Sequence, residues 1–157
     1  MNNWHFAGIL LFFGMLSMMI VLMINEEAIA SDSGIPACIK KTIENKADQE
    51  VRIHLKEQLF AFYRKGELVF WGKICSGKKG METPKGRFKV LGKNKDYVSK
   101  KYKSKMPHAV RFTNDGHFLH QGTIKEVPAS HGCVRLSSEN AKRIFALVRP
   151  NDPIVVE

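Results

Sequence analysis

Charged residues are missing from the beginning of this sequence. The first 30 residues contain no Lys or Arg, and their only acidic residues are Glu26 and Glu27. The uncharged run from Phe6 to Ile24 is long enough to span a bilayer, which favours a targeting or membrane segment. A buried core helix is the alternative, but the run is terminal and apolar on all sides.

The same region lacks the basic residues that normally precede the apolar core of a signal peptide. Behind the run, however, Ala28-Ile29-Ala30 matches the small-x-small pattern that signal peptidases prefer. We therefore predict that residues 1–30 are a signal peptide or a membrane anchor, and both possibilities remain open. Either one predicts an exported chain that contacts the membrane, if at all, through residues 6–24.

Cysteine is scarce, with three residues in 157. Three cysteines allow one disulfide and leave one thiol unpaired, and an oxidising compartment would permit such a pair. Cys38 and Cys75 are the candidates for it.

Acidic residues are also few, with 15 Asp and Glu against 25 Lys and Arg, for a net charge of +10. Such a field suits polyanionic surroundings, whether nucleic acid, anionic lipid or an acidic wall polymer, and does not choose among them. The lysine-rich stretch Lys93–Lys105 has few interleaved aromatic residues. We expect an irregular, solvated loop there rather than a binding patch, and no nucleic-acid partner.

No internal repeat or low-complexity tract is present, and the length fits one domain. Residues 31–50 are predicted to be a linker or a short N-terminal helix, and residues 51–157 to be the functional domain. Period-two alternation of apolar residues dominates this domain. The predicted strands are Val51–Leu55, Leu59–Tyr63, Leu68–Ile74, Arg87–Leu91, Ala109–Thr113, His117–His120 and Pro153–Val156.

One segment changes to helical spacing. Ser137 can cap a helix that has Glu139 in its first turn, with Ala141 and Ile144 on its apolar side, and that ends before Pro150. The predicted fold is mostly β with one or two short α-helices.

The densest group of reactive side chains is Ser130-His131-Gly132-Cys133-Val134-Arg135, preceded by His120 on a predicted strand. A cysteine nucleophile attacks as the thiolate, so it needs a nearby imidazole, and we expect a thiol pKa below its free value of about 8.5. Arg135 would favour the same thiolate. The amides near Gly132 could stabilise an oxyanion in an acyl-transfer step.

Two other interpretations of this group were weighed. Cys133 could be a small buried hydrophobe, but the His, Gly and Arg beside it argue against this. Zinc could bind His117, His120, His131 and Cys133. However, His117 and His120 are three apart on a predicted strand and should face opposite sides, so only one can line a cavity with Cys133. We predict no metal, and a surface or packing role for His117.

The sequence resembles the L,D-transpeptidase catalytic domain family (YkuD-like) over roughly Val51 to Val156. The signature of that family is an upstream His followed by Ser/Thr-His-Gly-Cys, an apolar residue and Asn or Arg, and residues 130–135 match its second part throughout. Further landmarks occur in the expected order. They are Ser76-Gly77, Glu82-Thr83-Pro84-Lys85-Gly86-Arg87-Phe88, Arg111-Phe112-Thr113, Leu119-His120 and Val127-Pro128-Ala129.

The resemblance implies a β-sandwich-like fold and a thioester at Cys133 formed with peptidoglycan stem tetrapeptides. The terminal D-alanine would leave, and an amine of a second stem peptide, a lipoprotein lysine or a free D-amino acid would accept the acyl group. The family pattern makes His120 the general base, oriented by the carbonyl of Gln121. It implies that His131, Gly132 and Arg135 shape the oxyanion and substrate subsites and that Ser130 supports them. No cofactor is needed, and an exported enzyme would act in the periplasm or at the cell-wall face of the membrane.

Two departures from the family pattern affect the choice of acceptor. Gln121 separates His120 from Gly122, where His-Gly is common, and the short interval from His120 to Ser130 predicts little lid over the acyl site. Water could then be the acceptor, giving an L,D-carboxypeptidase or cross-link hydrolase on the same substrate. A non-catalytic basic wall-binding module is the alternative of another class.

Overall fold

The computed structural model describes residues 34–40, 42–44, 47–125 and 127–157. The predicted apolar segment 6–24 and the leader 1–30 lie outside these residues. Within the described ranges, none of the helical structure is long and apolar enough to cross a membrane. Ala37–Glu157 form one compact unit.

Strands dominate this unit, as the period-two pattern predicts. In chain order they are β1 (Gln49–His54), β2 (Leu59–Arg64), β3 (Glu67–Cys75), β4 (Gly86–Lys89), β5 (Gly92–Val98), β6 (Lys105–Arg111), β7 (Phe118–Gln121), β8 (Val134–Leu136) and β9 (Pro153–Val156). They form a nine-stranded sheet in the order β4-β9-β1-β2-β3-β8-β7-β6-β5. The β1–β9 and β7–β8 pairs are parallel and the others are antiparallel.

Strand β3 joins the two halves of the sheet. Its first part pairs with β2, whereas Ile74 and Cys75 pair with Leu136 and Arg135 of β8. The sheet curls, and apolar residues from both halves enter one core, among them Phe60, Ile74 and Leu119. This confirms the predicted β-rich, sandwich-like fold.

One α-helix occurs in the described part of the chain, α1 (Ser138–Leu147). The Ser137 side chain accepts a hydrogen bond from the Asn140 amide, so the predicted N-cap is confirmed. Ala141 and Ile144 are buried in the common core, at the spacing that the sequence indicates. The helix packs on β6, β7 and β8 and thereby supports the strands that carry the reactive residues.

The lysine-rich stretch is not the irregular loop that we expected. Gly92–Val98 form β5, which pairs with β6 and leaves only residues 99–104 as the turn between them. Residues 93–96 of this strand are all exposed, whereas Tyr97 is half-buried and stacks on Phe118 at 4.8 Å between ring centroids. Pairing with β6 and this aromatic contact stabilise a strand that its charged composition alone does not favour.

In the segment predicted as a linker or short helix, residues 31–50, Gln49 and Glu50 begin β1. The other described residues form turns, bends and one isolated bridge, Thr42 to Glu67. The Ile43 amide also donates to the Gly66 carbonyl at 2.7 Å. Both contacts attach the segment to the turn between β2 and β3.

Candidate active site

Cys133 lies directly before β8. The neighbouring strand residues show to which face of the sheet its side chain points. Leu119 and Val134 are register partners on the parallel strands β7 and β8, and both side chains are fully buried in the core. The next partners, His120 and Arg135, therefore point to the other face. Cys133 precedes the strand, and it packs beside Phe118, which lies on the same face of β7 as His120. His120, Arg135 and Cys133 line one cavity of about 710 Å³.

The backbone before Cys133 is held by Ser130. Its hydroxyl donates to the carbonyl of Cys133 and accepts a 3.1 Å hydrogen bond from the Gly132 amide. Gly132 has φ of +106°, a conformation that glycine adopts without penalty. This tight turn presents the thiol to the cavity. It also corrects one expectation, because the Gly132 amide is used within the turn and leaves the Cys133 amide as the candidate oxyanion donor.

A second loop, residues 76–83, forms hydrogen bonds to the turn that precedes Cys133. The amides of Ala129 and Ser130 both donate to the Ser76 carbonyl, at 3.0 and 2.9 Å. The Thr83 hydroxyl donates to the Gly132 carbonyl at 2.9 Å and accepts from the Gly77 amide at 3.0 Å. Both hydrogen bonds of the Thr83 hydroxyl are buried, so they join the two loops into one hydrogen-bonded unit.

His120 is buried and oriented by its own strand. Its Nδ1 lies 2.7 Å from the carbonyl oxygen of Gln121. A carbonyl can only accept, so Nδ1 carries the proton in the neutral ring and Nε2 is left with a lone pair. Burial lowers the pKa of His120, against the raising effect of the Gln121 carbonyl, and nearby Arg135 lowers it further. His120 is therefore a neutral imidazole with a free basic nitrogen.

The expected low pKa of Cys133 is wrong for this structure. Burial raises the pKa of the thiol, and the Phe118 amide and the charge of Arg135 only partly oppose this effect. Desolvation of the charged form outweighs both because the thiol packs beside the cluster of Met106, Ala109 and Phe118. Cys133 and His120 are thus a thiol and a neutral base rather than a preformed ion pair.

The comparisons with known proteins agree on one family. Residues 48–156 match the family model of the L,D-transpeptidase catalytic domain (YkuD). The chain belongs to this family.

Solved structures share the fold. An L,D-transpeptidase from Stackebrandtia nassauensis is 31% identical with a TM-score of 0.68, covering 74% of this chain and 58% of that one. One from Mycobacterium smegmatis is 27% identical with a TM-score of 0.66, covering 71% of this chain and 59% of that one. A third L,D-transpeptidase, solved in complex with imipenem, is 26% identical with a TM-score of 0.66, covering 71% of this chain and 59% of that one.

The chain thus spans less than two thirds of the length of these L,D-transpeptidases. None of the curated protein sequences matches it significantly.

His117 is a cavity residue of this L,D-transpeptidase domain that our sequence analysis missed. Both His117 and His120 line the cavity, contrary to the expectation that only one could. The reason is that β7 begins at Phe118, so strand alternation does not apply to His117. Its imidazole lies so close to Gly132 that a Cβ there would be 2.9 Å from the ring.

The partner of His117 allows the tautomer opposite to that of His120. Thr113 Oγ1 accepts from the His117 amide at 3.0 Å and lies 2.8 Å from His117 Nδ1. The hydroxyl can then donate to Nδ1, which puts the proton of the neutral ring on Nε2. Burial lowers the pKa of His117 below its usual value, with Asp115 opposing. The domain therefore offers a basic nitrogen at His120 and a donor at His117.

The turn between β5 and β6 lines the cavity, together with residues 121–123 of the short interval between His120 and Ser130. Tyr102 in this turn stacks on the exposed imidazole of His131, with 4.4 Å between ring centroids and 14° between planes. Lys100, Lys101 and Lys105 also line the cavity. The basic stretch that we expected to be a solvated loop therefore contributes to the site.

Arg135 contacts Gly122 at the edge of the cavity, and the three cysteines of the described residues are not paired. The aliphatic part of Arg135 packs against Gly122, where an added Cβ would lie 2.9 Å from Arg135 Cγ. Cys38, Cys75 and Cys133 are all free, so the candidate disulfide between the first two is not formed.

Proposed function

We propose that this chain is a cysteine L,D-transpeptidase that acts on peptidoglycan stem tetrapeptides through a thioester at Cys133. The observation that carries the proposal is that Cys133, directly before β8, and His120 on the neighbouring strand β7 line the same cavity of a domain of this family. Neither residue is replaced or displaced from the motif positions that the family signature requires.

In the acylation step, His120 Nε2 takes the thiol proton while Cys133 Sγ attacks the carbonyl carbon of the third stem residue. Negative charge develops on the carbonyl oxygen, where the Cys133 amide and the Nε2–H group of His117 are the available donors. The C–N bond to D-alanine then breaks, and the leaving amine receives the proton from His120. The products are the thioester and free D-alanine.

In the second step, an amine attacks the thioester carbonyl and gives its proton to His120. An amide bond forms, the C–S bond breaks, and the thiolate regains a proton. A neutral base suits both steps, because the free enzyme holds thiol and imidazole rather than an ion pair.

The charges around the cavity fit such a substrate. Arg135, Lys100, Lys101 and Lys105 line it, whereas Asp115 is the one acidic residue among its lining residues in the described part of the chain. Stem peptides carry free carboxylates, so a cationic wall would orient them. We further propose that residues 1–30 export the protein, which would place it outside the cytoplasmic membrane, at the cell-wall face.

The test is intact-protein mass spectrometry of the full-length chain incubated with a disaccharide-tetrapeptide. We expect a thioester adduct at Cys133, release of D-alanine and cross-linked dimers. Cys133→Ala should form no adduct, and His120→Ala should form it about 10²- to 10⁴-fold more slowly. Cys75→Ser is the matched control, since this buried thiol lies outside the cavity.

The products distinguish the alternatives. An adduct with tripeptide as the only product would replace the transferase with a hydrolase of the same bonds. Absence of any adduct in the wild type, with binding retained by Cys133→Ala, would contradict the proposal and favour a wall-binding module.

A further inference from the structure

A second group of reactive side chains lies away from the candidate active site. One ligand atom each of Cys38, His54 and Glu57 lie within 4.8 Å of one another. None of the three lines the cavity around Cys133. A thiol, an imidazole and a carboxylate are together the donor set that zinc prefers in proteins.

Strand alternation places His54 on the outer face of the sheet. Val51 and Ile53 of β1 point into the main core, so Glu50, Arg52 and His54 point the other way. This face is nevertheless covered, since His54 on β1 and Tyr63 on β2 are 6% and 1% exposed. Cys38 belongs to the N-terminal segment, of which residues 37–40 and 42–44 are described, and it lies close to His54.

The two ring nitrogens of His54 have different surroundings. Nδ1 lies 3.1 Å from the Glu157 carboxylate. Nε2 is buried and has no hydrogen-bond partner among the residues that the structure describes. A buried, unpartnered ring nitrogen costs free energy, so it needs an explanation. A histidine with one nitrogen on a carboxylate and the other free has the arrangement of a metal ligand with its supporting carboxylate.

The backbone of Glu157 is hydrogen-bonded to the two residues that flank His54 in the sequence. The Glu157 amide donates to the Ile53 carbonyl at 3.0 Å, and the Leu55 amide donates to the Glu157 carbonyl at 2.9 Å. The backbone of Glu157 is thus held beside His54 by β1, and its half-exposed side chain reaches the ring from there.

The local charges also suit a cation. Burial raises the pKa of the Cys38 thiol, and the negative charges of Glu57 and Glu157 raise it further. A bound cation would stabilise the thiolate and neutralise these carboxylates. Arg52 is the opposing positive charge nearby, and its Nε is paired with the Glu50 carboxylate at 2.5 Å.

We propose that Cys38 Sγ, a ring nitrogen of His54 and the Glu57 carboxylate bind Zn²⁺ and thereby fix Cys38 and its neighbours 37–40 onto the outer face of the sheet. Zinc bonds of about 2.0–2.3 Å put tetrahedral ligand atoms about 3.5 Å apart. The three side chains must therefore close by about an ångström, and Glu57 is an exposed side chain in the turn between β1 and β2, free to rotate. Water fills the fourth position.

The experiment is a Zn²⁺ and Co²⁺ titration of the reduced full-length chain carrying Cys133→Ala, so that the cavity thiol cannot contribute. Zn²⁺ affinity is read by competition with a chromophoric chelator, and Co²⁺ reports a coordinated thiolate by its near-ultraviolet charge-transfer band. We expect one Zn²⁺ per chain, a thiolate–Co²⁺ band and no competition from Mg²⁺.

Variants assign the ligands. Adding Cys38→Ser should abolish the Co²⁺ band, and Glu57→Gln should weaken Zn²⁺ binding at least about 10-fold. Cys75→Ser and Glu44→Gln are matched controls, a second thiol and an exposed glutamate of the same segment, and should change neither readout. Because Glu57 is exposed, its variant tests the site even if Cys38→Ser fails to fold.

Two results would overturn the proposal. One is the absence of Zn²⁺ binding to the Cys133→Ala chain. The other is Zn²⁺ binding of unchanged affinity in Cys38→Ser and Glu57→Gln, which would assign the metal to different residues.

Discussion

The Thr83 hydroxyl donates to the carbonyl of Gly132, 49 positions further along the chain, at 2.9 Å. The same hydroxyl accepts the Gly77 amide, so one side chain joins the loop 76–83 to the turn that precedes Cys133. The position of the thiol therefore depends on a residue far from the nucleophile motif.

Replacement of Thr83 by Val should loosen this connection. Valine keeps the shape but leaves the Gly77 amide and the Gly132 carbonyl without their partner, which should lower the free energy of unfolding by about 1–3 kcal/mol. Acylation by the tetrapeptide should slow as well. Urea unfolding and adduct formation measure the two effects, and Thr42→Val, at an exposed threonine, is the control that should change neither. Normal acylation by Thr83→Val would show that the link is not needed to position Cys133.

Gly132→Ala should be more damaging than its backbone conformation alone predicts. An added Cβ would lie 2.9 Å from the His117 ring, in addition to the strain at φ of +106°. Gly80→Ala is a matched control, since Gly80 has φ of +80° with nothing within 4 Å of the added atom. We expect a loss of about 1–2 kcal/mol of stability for Gly80→Ala and a larger loss, with impaired acylation, for Gly132→Ala. Equal losses in both would mean that the contact with His117 is unimportant.

The pH dependence of acylation should follow His120 and Cys133. The pKa of His120 is lowered by burial, so the neutral base persists below its ordinary value of 6.5 and the rate should decline only at more acidic pH. Since the pKa of Cys133 is raised, thiolate should not accumulate at neutral pH in the free enzyme. Single-turnover rates and thiolate absorbance near 240 nm test both points. A large thiolate signal at pH 7 would indicate an ion pair instead.

Stability should fall as the pH drops below the ordinary histidine pKa. His54, His117 and His120 all have pKa values lowered mainly by burial, so below 6.5 the unfolded chain binds protons that the folded chain does not. The contribution of these neutral rings is fully present above that pH and is lost as the pH falls through the lowered pKa values of the folded chain. Thermal unfolding measured at decreasing pH should show a falling Tm, and His54→Gln should reduce the slope. A Tm independent of pH would contradict the proposed neutral state.

Imipenem should acylate Cys133. The thiol and base of this chain line an accessible cavity, so the proposed nucleophile should be open to attack on a β-lactam carbonyl. We expect one imipenem adduct per chain, located at Cys133 by peptide mapping, and none in Cys133→Ala. The buried Cys75 and the half-buried Cys38 are internal controls that should stay unmodified.

The strands and the helix were predictable because they depend on local patterns. The strands between Val51 and Tyr63 and the cap at Ser137 can each be predicted from residues that are close together in the sequence. The structure confirms both strands and the cap. The stretch from Lys93 to Lys105 was misjudged because its strand is stabilised by pairing with β6 and by the stacking of Tyr97 on Phe118. Such contacts depend on the partner strand, which the local composition does not reveal.

The sequence by itself determined the family, the β-rich fold and the nucleophile motif, since the spacing of Ser130, His131, Gly132 and Cys133 is a local property. Only the tertiary structure decided the state and surroundings of that motif. It brought His117 into the cavity, placed Tyr102 over His131, and buried Cys133 enough to raise the pKa of its thiol. It also placed Cys38 beside His54 on the outer face of the sheet. Desolvation and contacts between distant segments cause these features, and both exist only once the chain has folded.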